Sequence, residues 1–252
     1  MNDMTSGNGN PRKAIITGGS SGIGLATGLM MLDSGYRVVS LDMNVPDNPD
    51  LGFAEVDVRD STMVENAVQA AAAELGGIDV VVNSAGISSV GAVDANTDDQ
   101  WMQALDVNVV GVARVLRTAL PYLRNGDTPA IVNLASVASH TGIPNRVVYS
   151  ATKGAVLAMT LAMATDYLHE GIRVNAVAPG TVDTPWVARL LAQADDPEQA
   201  RRALESRQPI GRLVTAEEVA LAICYLADPR AGSATGTVLD VDGGMHRLAP
   251  PR

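Results

Sequence analysis

Tyr149 and Lys153 lie four residues apart in a segment whose sequence predicts a helix, so both side chains occupy one face of that helix. An ammonium group beside a phenol favours the phenolate and lowers the phenol pKa from about 10. Lysine is scarce in this chain, which contains only Lys13 and Lys153. The apolar stretch over residues 155–164 means that a lysine at its head needs a partner or a cleft. The pair therefore predicts a proton-transfer site, although a packed tyrosine beside a lysine that reaches solvent would show the same spacing.

Two further polar residues are candidates for the same site. Ser136 ends the fifth predicted strand, 13 residues before Tyr149. Ligands bind outside the carboxyl ends of the strands in open α/β sheets, so this hydroxyl could donate to a substrate oxygen. Asn108 lies among three valines that favour burial, and a buried amide could help to hold a water linked to Lys153. An ordinary loop serine and a helix-bending asparagine are the alternative interpretations.

A glycine-rich segment separates the first predicted strand from the first predicted helix. Gly18, Gly22 and Gly24 follow the spacing G-x-x-x-G-x-G. Glycines at such a turn let the backbone approach a pyrophosphate, and the helix N-terminus offers free N–H groups. The segment therefore predicts a dinucleotide-binding loop, the alternative being a glycine turn that only packs strand against helix.

Asp42 lies 18 residues after Gly24, at the end of the second predicted strand. A carboxylate at this place accepts hydrogen bonds from the ribose hydroxyls and repels a 2′-phosphate. Ser20 and Ser21 are not basic and Met43 follows Asp42, so no neighbouring cation is present to hold that phosphate. The sequence thus favours NAD over NADP, unless Asp42 is only a solvated acid at a strand end.

Strand and helix patterns alternate along the chain. The strand candidates are near-continuous apolar runs, which is typical of parallel strands buried on both faces. This alternation predicts an α/β protein, a single-domain Rossmann-type doubly wound sheet of about seven parallel strands with helices on both faces. The predicted strands are 14–17, 38–42, 53–58, 80–82, 131–134, 174–177 and 238–241, and the predicted helices are 23–32, 61–75 with Ser61 as its cap, 97–123, 147–168 and 216–226.

The domain organisation follows from the same pattern. Residues 1–11 are expected to form a flexible tail, and residues 12–252 one dinucleotide-binding and catalytic domain. Residues 185–207 mix helix formers with charges and are either a helical lid over a site or a solvated insertion.

Composition excludes several classes of function. The 252 residues carry 18 Lys+Arg against 28 Asp+Glu, a net charge of -10, which argues against binding to nucleic acid or anionic membranes. No apolar run reaches about 18 residues, so no transmembrane helix is expected. The single cysteine, Cys224, forbids an intrachain disulfide and fits a reducing, cytoplasmic setting. No His/Cys/Asp group has metal-ligand spacing, so we expect no catalytic metal.

These residues together resemble the short-chain dehydrogenase/reductase family, from about residue 13 to residue 244. One departure is Ser84, where many members have a second asparagine. The motifs that carry the resemblance are the loop from Thr17 to Gly24, Asp57-Val58, Asn83 to Gly86, Asn108, Ser136, Tyr149-x-x-x-Lys153, Arg173-Val-Asn175, Pro179-Gly180 and Val241 to Gly244.

The resemblance implies a role for each motif. Tyr149 is expected to be the acid/base, Lys153 to hold the ribose and lower the tyrosine pKa, Ser136 to orient the substrate oxygen, and Asn108 to support a proton-relay water. The lid is expected to be mobile, and assembly into a homotetramer or homodimer through the long helices is expected as well. The implied cofactor contacts are Gly18, Ser20, Ser21, Gly22, Ile23, Gly24, Asp42, Tyr149, Lys153, Pro179 and Gly180, with Asp57 and Val58 at the adenine, Asn83, Ala85 and Gly86 at the adenosine-side ribose, and Val182 and Thr184 at the carboxamide and phosphates.

The expected activity is NAD-dependent interconversion of a secondary alcohol and a ketone on a small polar substrate such as a sugar, polyol, sugar acid or hydroxy acid. Arg146, Arg189 or His140 could meet an acidic substrate. The alternatives are a 3-oxoacyl carrier-protein reductase and a catalytically silent NAD-binding regulator. A sugar-nucleotide epimerase is disfavoured by the glycine spacing and by the eight residues that follow Gly244.

Overall fold

Parallel strands form the central sheet of the computed structural model, which describes residues 10–192 and 194–249. Two additional short strands, β7 and β8, pair with each other outside that sheet. The strands are β1 (Lys13–Thr17), β2 (Arg37–Asp42), β3 (Gly52–Glu55), β4 (Val80–Asn83), β5 (Ala130–Leu134), β6 (Arg173–Pro179), β7 (Val182–Asp183), β8 (Val214–Thr215) and β9 (Val238–Val241).

Helices cover both faces of the sheet. On one face α2 and α4 pack over buried strand residues such as Ile15 and Val81, and on the other α1 and α8 pack over Ile16 and Val82. This alternation of neighbouring residues between the two buried layers explains why the strands read as continuous apolar runs. The helices are α1 (Gly22–Asp33), α2 (Ser61–Leu75), α3 (Asp98–Leu105), α4 (Gly111–Leu123), α5 (Val147–Asp166), α6 (Pro185–Ala192), α7 (Pro197–Glu205) and α8 (Ala216–Ala227).

The order of the seven strands in the main sheet is β3-β2-β1-β4-β5-β6-β9, with every described pairing parallel. The strand order reverses direction between β1 and β4, which creates a crevice at the carboxyl ends of these strands. The predicted fold class, a doubly wound Rossmann-type sheet of about seven parallel strands, is confirmed.

Two predicted elements differ in detail, and two short strands were not predicted. The strand predicted over 53–58 ends at Glu55, because its partner β2 ends at Asp42, the residue paired with Glu55. The helix over 61–75 is capped by Asp60 and not by Ser61, since Asp60 Oδ1 accepts from the backbone N–H of Thr62 and Met63 at 2.8 and 3.0 Å. β7 and β8 were not predicted, because two-residue strands leave no periodic pattern.

The single helix predicted over 97–123 is interrupted. It consists of α3, a five-residue π-helical turn over Asp106–Val110 and α4. Asn108 lies in this turn, where its side-chain amide accepts from the backbone N–H of Ile87 and donates to the carbonyl oxygen of Ile87. A π-bulge of this kind admits one extra residue into the helix and often occurs at functional sites.

α5 is long and apolar enough to cross a membrane by length and composition alone, with a mean hydropathy of 1.4. In this fold it packs against the sheet, and it carries the buried polar residues Thr152, Lys153 and Thr160. Thr160 Oγ1 accepts from Asn133 of β5 at 2.9 Å. These contacts are those of a core helix. Residues 1–9 of the predicted tail lie outside the described residues.

Candidate active site

The glycine loop between β1 and α1 has a geometry that only glycine permits at three positions. Gly18 and Gly22 adopt φ values of +66° and +52°. A Cβ on Gly24 would lie 2.1 Å from the carbonyl oxygen of Gly18, and one on Gly18 would lie 3.0 Å from Ala85 Cα. Ser21, the N-cap of α1, makes no side-chain capping bond, so the first N–H groups of α1 remain available to an anion. The loop therefore fits the pyrophosphate of a dinucleotide.

A groove of about 420 Å³ runs along the carboxyl ends of β1, β2 and β4, and we call it the dinucleotide groove. Ten of the predicted cofactor residues line it: Gly18, Ser21, Gly22, Ile23, Asp42, Asp57, Val58, Ala85, Gly86 and Thr184.

Three other predicted contacts, Ser20, Gly24 and Asn83, line neither this groove nor the adjoining substrate pocket described below. Ser20 donates its backbone N–H to Asp42. Gly24 is buried against the backbone of Gly18. Asn83 is only 3% exposed and donates to Asn133 Oδ1 at 2.8 Å, so it supports the end of β4 from beneath. Its Oδ1 atom is buried without a hydrogen-bond partner among the described residues. Direct contact of these three residues with a cofactor stays a prediction.

Asp42 is held in place by two backbone donors. Its Oδ2 accepts from Ser20 N at 3.1 Å and its Oδ1 from Asn44 N at 3.0 Å. Each carboxylate oxygen keeps acceptor capacity for a hydroxyl group. Asp42 lines the groove, so these oxygens are available to a hydroxyl group bound there.

Two arginines also line the dinucleotide groove, although the sequence predicted no cation near Asp42. Arg59 pairs with Asp57 at 2.5 Å, and its hydrogen bonds lower the pKa of that carboxyl. Arg189 comes from α6 and is exposed. Arg59 is thus already compensated by an acid, whereas Arg189 has no ion-pair partner among residues 10–192 and 194–249.

A second cavity of about 250 Å³ adjoins the groove, and we call it the substrate pocket. Ser136, Tyr149 and Lys153 lie together in its wall, as do the predicted residues Pro179, Gly180, Val182 and Thr184. The two cavities share Ile23, Gly86 and Thr184, so a molecule in the groove reaches the pocket directly.

The electrostatics of Tyr149 differ from the expectation based on Lys153. Burial raises the pKa of the Tyr149 phenol, while a hydrogen bond with Ser136 and the charge of Arg146 lower it to a smaller extent. Burial dominates because the phenolate would lose its hydration. The chain alone therefore holds Tyr149 as a neutral phenol, and the predicted lowering by Lys153 is absent from this structure.

Lys153 is 4% exposed and donates to the carbonyl oxygen of Leu134 at 2.7 Å. Burial lowers its pKa to about 8. The ammonium lies against Gly86, where a Cβ would approach within 3.5 Å of its Nζ. The absence of a side chain at position 86 leaves room beside the ammonium, which lines the substrate pocket.

Asn108 does not line either cavity. Its Nδ2 donates to Ile87 O at 2.9 Å and to Thr152 Oγ1 at 3.0 Å, and its Oδ1 accepts from Ile87 N at 2.8 Å. Both amide protons are committed, so this side chain fixes the 86–88 segment against α5. Support of a relay water by Asn108 stays a prediction.

The segment over residues 185–207 forms α6 and α7, and it covers the pocket. Trp186, Val187, Leu190, Leu204 and Arg207 line the cavity from this side. Arg207 was not predicted as a site residue, although it ends the charged segment that was interpreted as a lid or a solvated insertion. Its exposed guanidinium has no ion-pair partner among the described residues.

Of the three cations predicted to meet an acidic substrate, only Arg146 lines the substrate pocket. Arg146 donates to Ser88 Oγ and Ser89 O at 3.0 and 3.1 Å. Arg189 lines the groove instead. His140 faces Asp240 and does not line either cavity, and burial lowers its pKa. Among the described lining residues of the pocket no carboxylate balances Arg146, Arg207 and Lys153.

Comparison with known proteins agrees with this architecture. The family model described as enoyl-(acyl carrier protein) reductase matches residues 18–246. A cis-4-hydroxycyclohexanecarboxylate dehydrogenase of Sinomonas cyclohexanicum is 38% identical, with 92% of this chain and 96% of that protein covered. Dehydrogenase/reductase SDR family member 6 of Rattus norvegicus is 35% identical, and the match covers 91% of this chain and 95% of that protein. The 3-oxoacyl-[acyl-carrier-protein] reductase of Thermotoga maritima is 35% identical, covering 92% and 96%.

Solved structures show the same fold. The ligand-free aldohexose dehydrogenase of Thermoplasma acidophilum superimposes with a TM-score of 0.90 at 33% identity, covering 96% of this chain and 97% of that one. ElxO with NADP bound gives a TM-score of 0.87 at 28% identity, covering 94% and 100%.

The sheet, the glycine loop and the Ser–Tyr–Lys group together define an oxidoreductase of the Rossmann class. The chain belongs to the short-chain dehydrogenase/reductase family, as the sequence predicted. Members of this family bind a nicotinamide cofactor, and the dinucleotide groove is lined by residues that are predicted to contact it.

Proposed function

We propose that this protein is an NAD-dependent dehydrogenase/reductase that interconverts a secondary alcohol and a ketone on a small polar substrate bearing an acidic group. The observation that carries the proposal is the position of Tyr149 beside Ser136 in a pocket that opens onto the dinucleotide groove. Proton transfer and hydride transfer must occur at neighbouring atoms of the substrate, and this arrangement supports both.

Each residue of the site has a distinct task in the reaction. The nicotinamide, when bound, supplies the hydride donor or acceptor. In the reductive direction the neutral Tyr149 phenol donates its proton to the developing alkoxide, and the Ser136 hydroxyl stabilises that oxygen. In the oxidative direction the Tyr149 phenolate takes the hydroxyl proton. The Lys153 ammonium offers its donors to the ribose.

The choice of NAD rests on Asp42. Its carboxylate faces the groove and would be forced against a 2′-phosphate, which is unfavourable for two like charges. Arg59 offers that phosphate little compensation because Asp57 already pairs with it. Arg189 favours NADP, and the NADP complex of ElxO makes that alternative worth testing.

The acidic substrate is inferred from the charge of the pocket. Arg146 and Arg207 line it without a neighbouring carboxylate among the described lining residues, in a chain of net charge -10. Burial of the Arg146 guanidinium lowers its pKa, and an anion bound beside it would offset part of the free-energy cost of that desolvation. The pocket volume of about 250 Å³ suits a small hydroxy acid or sugar acid.

A second candidate is a 3-oxoacyl carrier-protein reductase, supported by the relative from Thermotoga maritima. The same arginines could then contact the phosphate of a carrier-bound substrate. Asp42 disfavours this candidate only because it favours NAD, whereas such reductases usually use NADPH. A catalytically silent NAD-binding regulator is less well supported, because a sensor needs no Ser136–Tyr149 pair.

The test is a spectrophotometric screen of hydroxy acids, sugar acids, neutral polyols and 3-oxoacyl thioesters, each with NAD(H) and NADP(H). We expect turnover with NAD and an acid, and a drop of about 10³-fold in kcat for Tyr149→Phe with cofactor binding retained. Arg207→Gln should raise KM for the acid about tenfold or more, whereas Arg202→Gln, an exposed lid arginine paired with Glu198, should not. Activity of Tyr149→Phe at the wild-type level would refute the mechanism, and turnover of neutral alcohols alone would refute the acidic substrate.

Assembly and location are proposed as well. Val147, Leu161 and Leu168 on or beside α5 are 39%, 51% and 54% exposed, which supports a homotetramer or homodimer formed through the long helices. Light scattering after size exclusion tests this, and a monomer at micromolar concentration would contradict it. The buried single cysteine is in keeping with a cytoplasmic location.

A further inference from the structure

Three side chains from two distant parts of the sequence meet near the substrate pocket. His140 follows the turn that begins at Ser136, Asp240 lies in β9, and His246 lies beyond the end of β9. One ligand-type atom from each of the three lies within 4.8 Å of the other two. The two imidazole rings have centroids 3.9 Å apart. Two of the three histidines of the chain are thus gathered around one carboxylate.

The polar atoms at the centre of this cluster are not satisfied by the protein. His140 Nε2 and Asp240 Oδ1 lie 3.2 Å apart, yet neither makes a hydrogen bond with any described residue, and both atoms are buried. A buried polar atom without a partner is destabilising and calls for a physical explanation. A cation bound between the two atoms would satisfy both.

The groups around the cluster support an imidazole ligand. Thr141 Oγ1 lies 3.0 Å from His246 Nδ1, the kind of contact that fixes the tautomer and the ring orientation of a metal-binding histidine. Asp242 accepts from the backbone N–H of Gly244 and His246 and adds negative charge nearby. Arg247 Nε lies 3.5 Å from Asp240 Oδ2, but the side chain of Arg247 is 77% exposed and can turn into solvent.

We propose that His140, Asp240 and His246 form a binding site for a transition-metal ion of the zinc type, with the remaining coordination position open to solvent. Two imidazoles and a carboxylate are ligands that zinc prefers. Bonds of about 2.0–2.2 Å place tetrahedral ligand atoms roughly 3.3 Å apart, so the three groups need to approach by at most about 1.5 Å from their spacing of up to 4.8 Å.

The site has a structural consequence for the pocket. His140 belongs to the same turn as Ala138, and His246 is adjacent to Met245, and both Ala138 and Met245 line the substrate pocket. A bound ion would join these two segments and make that wall of the pocket more rigid. The ion lies outside the Ser136–Tyr149–Lys153 group and takes no part in the chemistry. The prediction of no catalytic metal therefore stands untested beside this proposal.

The first test uses the wild-type chain without an affinity tag, stripped of metal with a chelator. Addition of ZnCl₂, followed by calorimetry, should give one bound Zn²⁺ per chain. The ¹⁵N signals of the histidine rings should shift for two imidazoles and stay fixed for the exposed His169. This measurement needs no variant. Absence of one-to-one binding, or a shift confined to His169, would overturn the proposal.

The second test compares matched variants. His140→Asn and His246→Gln should each bind Zn²⁺ at least tenfold more weakly and lose the visible absorption of bound Co²⁺, whereas His169→Gln should behave like the wild type. Circular dichroism and NADH binding verify that each variant is folded. Unchanged Zn²⁺ affinity in folded His246→Gln would show that the ion binds elsewhere and would refute the site.

Discussion

Lys153 Nζ lies 5.9 Å from the centre of the Tyr149 ring and donates its hydrogen bond to the carbonyl oxygen of Leu134, at 2.7 Å. The ammonium is thus anchored to the end of β5. Because burial lowers the Lys153 pKa to about 8 and raises the Tyr149 pKa, the free chain holds a neutral phenol beside a lysine that loses its proton far more readily than a free lysine.

This arrangement predicts a pH dependence for the reductive reaction. The Lys153 ammonium is present below pH 8 and is lost above it, while Tyr149 stays protonated because its pKa is raised. We expect kcat/KM for the reduced cofactor, which reports the free enzyme, to fall as the pH rises above about 8. Lys153→Arg keeps its positive charge at all these pH values. The variant should react more slowly, but its kcat/KM should no longer fall as the pH rises above about 8. An identical limb in that variant would assign the titration to another group.

Lys153 is also expected to lower the stability of the fold. Its pKa is lowered from 10.5 to about 8 on folding, so the charge is unfavourable in the folded state below pH 8. Stability should recover as the pH rises from about 8 to 10.5, where the unfolded chain holds the extra proton. Lys153→Met should therefore raise the free energy of unfolding by about 2 kcal/mol at pH 7, after allowing for the bond lost at Leu134.

Urea unfolding at pH 7 and pH 10 measures this difference. Lys13→Met is the matched control, because Lys13 Nζ donates to Gly76 O far from the site. A Lys153→Met chain that is less stable than the wild type at pH 7 would mean that the hydrogen bond outweighs the desolvation.

Asp42 is predicted to decide between the two cofactors. Asp42→Ala removes the acceptor for the ribose hydroxyls and the repulsion of a 2′-phosphate. We expect kcat/KM with NAD to fall about tenfold, which corresponds to about 1.4 kcal/mol, and the value with NADP to rise. Asp50→Ala, which removes an exposed acid outside the groove, should change neither value. A wild type that already prefers NADP would overturn the argument.

Gly24 is predicted to be the least replaceable glycine of the loop. Its Cβ would lie 2.1 Å from Gly18 O, so Gly24→Ala must displace backbone rather than a flexible side chain. Overpacking of this kind costs about 1–3 kcal/mol, and we expect NADH affinity to fall at least tenfold in a fluorescence titration. Gly142→Ala is the control, since no atom lies within 4 Å of its Cβ position. Unchanged affinity in Gly24→Ala would show that the loop can rearrange.

The local features of this protein were readable from the chain. The seven strands and the order of the motifs follow from apolar runs and from glycine spacing, because neighbouring residues impose them. Helical periodicity alone places Tyr149 and Lys153 on one face of α5. The end of β2 at Asp42 is equally local, and so a carboxylate at the mouth of the groove could be expected.

Other features required the packed structure. Arg207, Arg189 and Arg59 reach the two cavities from separate segments, and no spacing rule links them to Tyr149 or Asp42. The gathering of His140, Asp240 and His246 bridges about a hundred residues of sequence.

The amino-acid sequence by itself determined the sheet, the dinucleotide loop and the identity of the acid/base candidate, because these depend on residue type and short-range spacing. Tertiary structure alone decided the direction in which the Tyr149 pKa shifts, the anchoring of Lys153 to Leu134 and the charge of the substrate pocket. Desolvation and charge proximity depend on which distant segments pack together, and residue spacing along the chain does not give the distances between those segments.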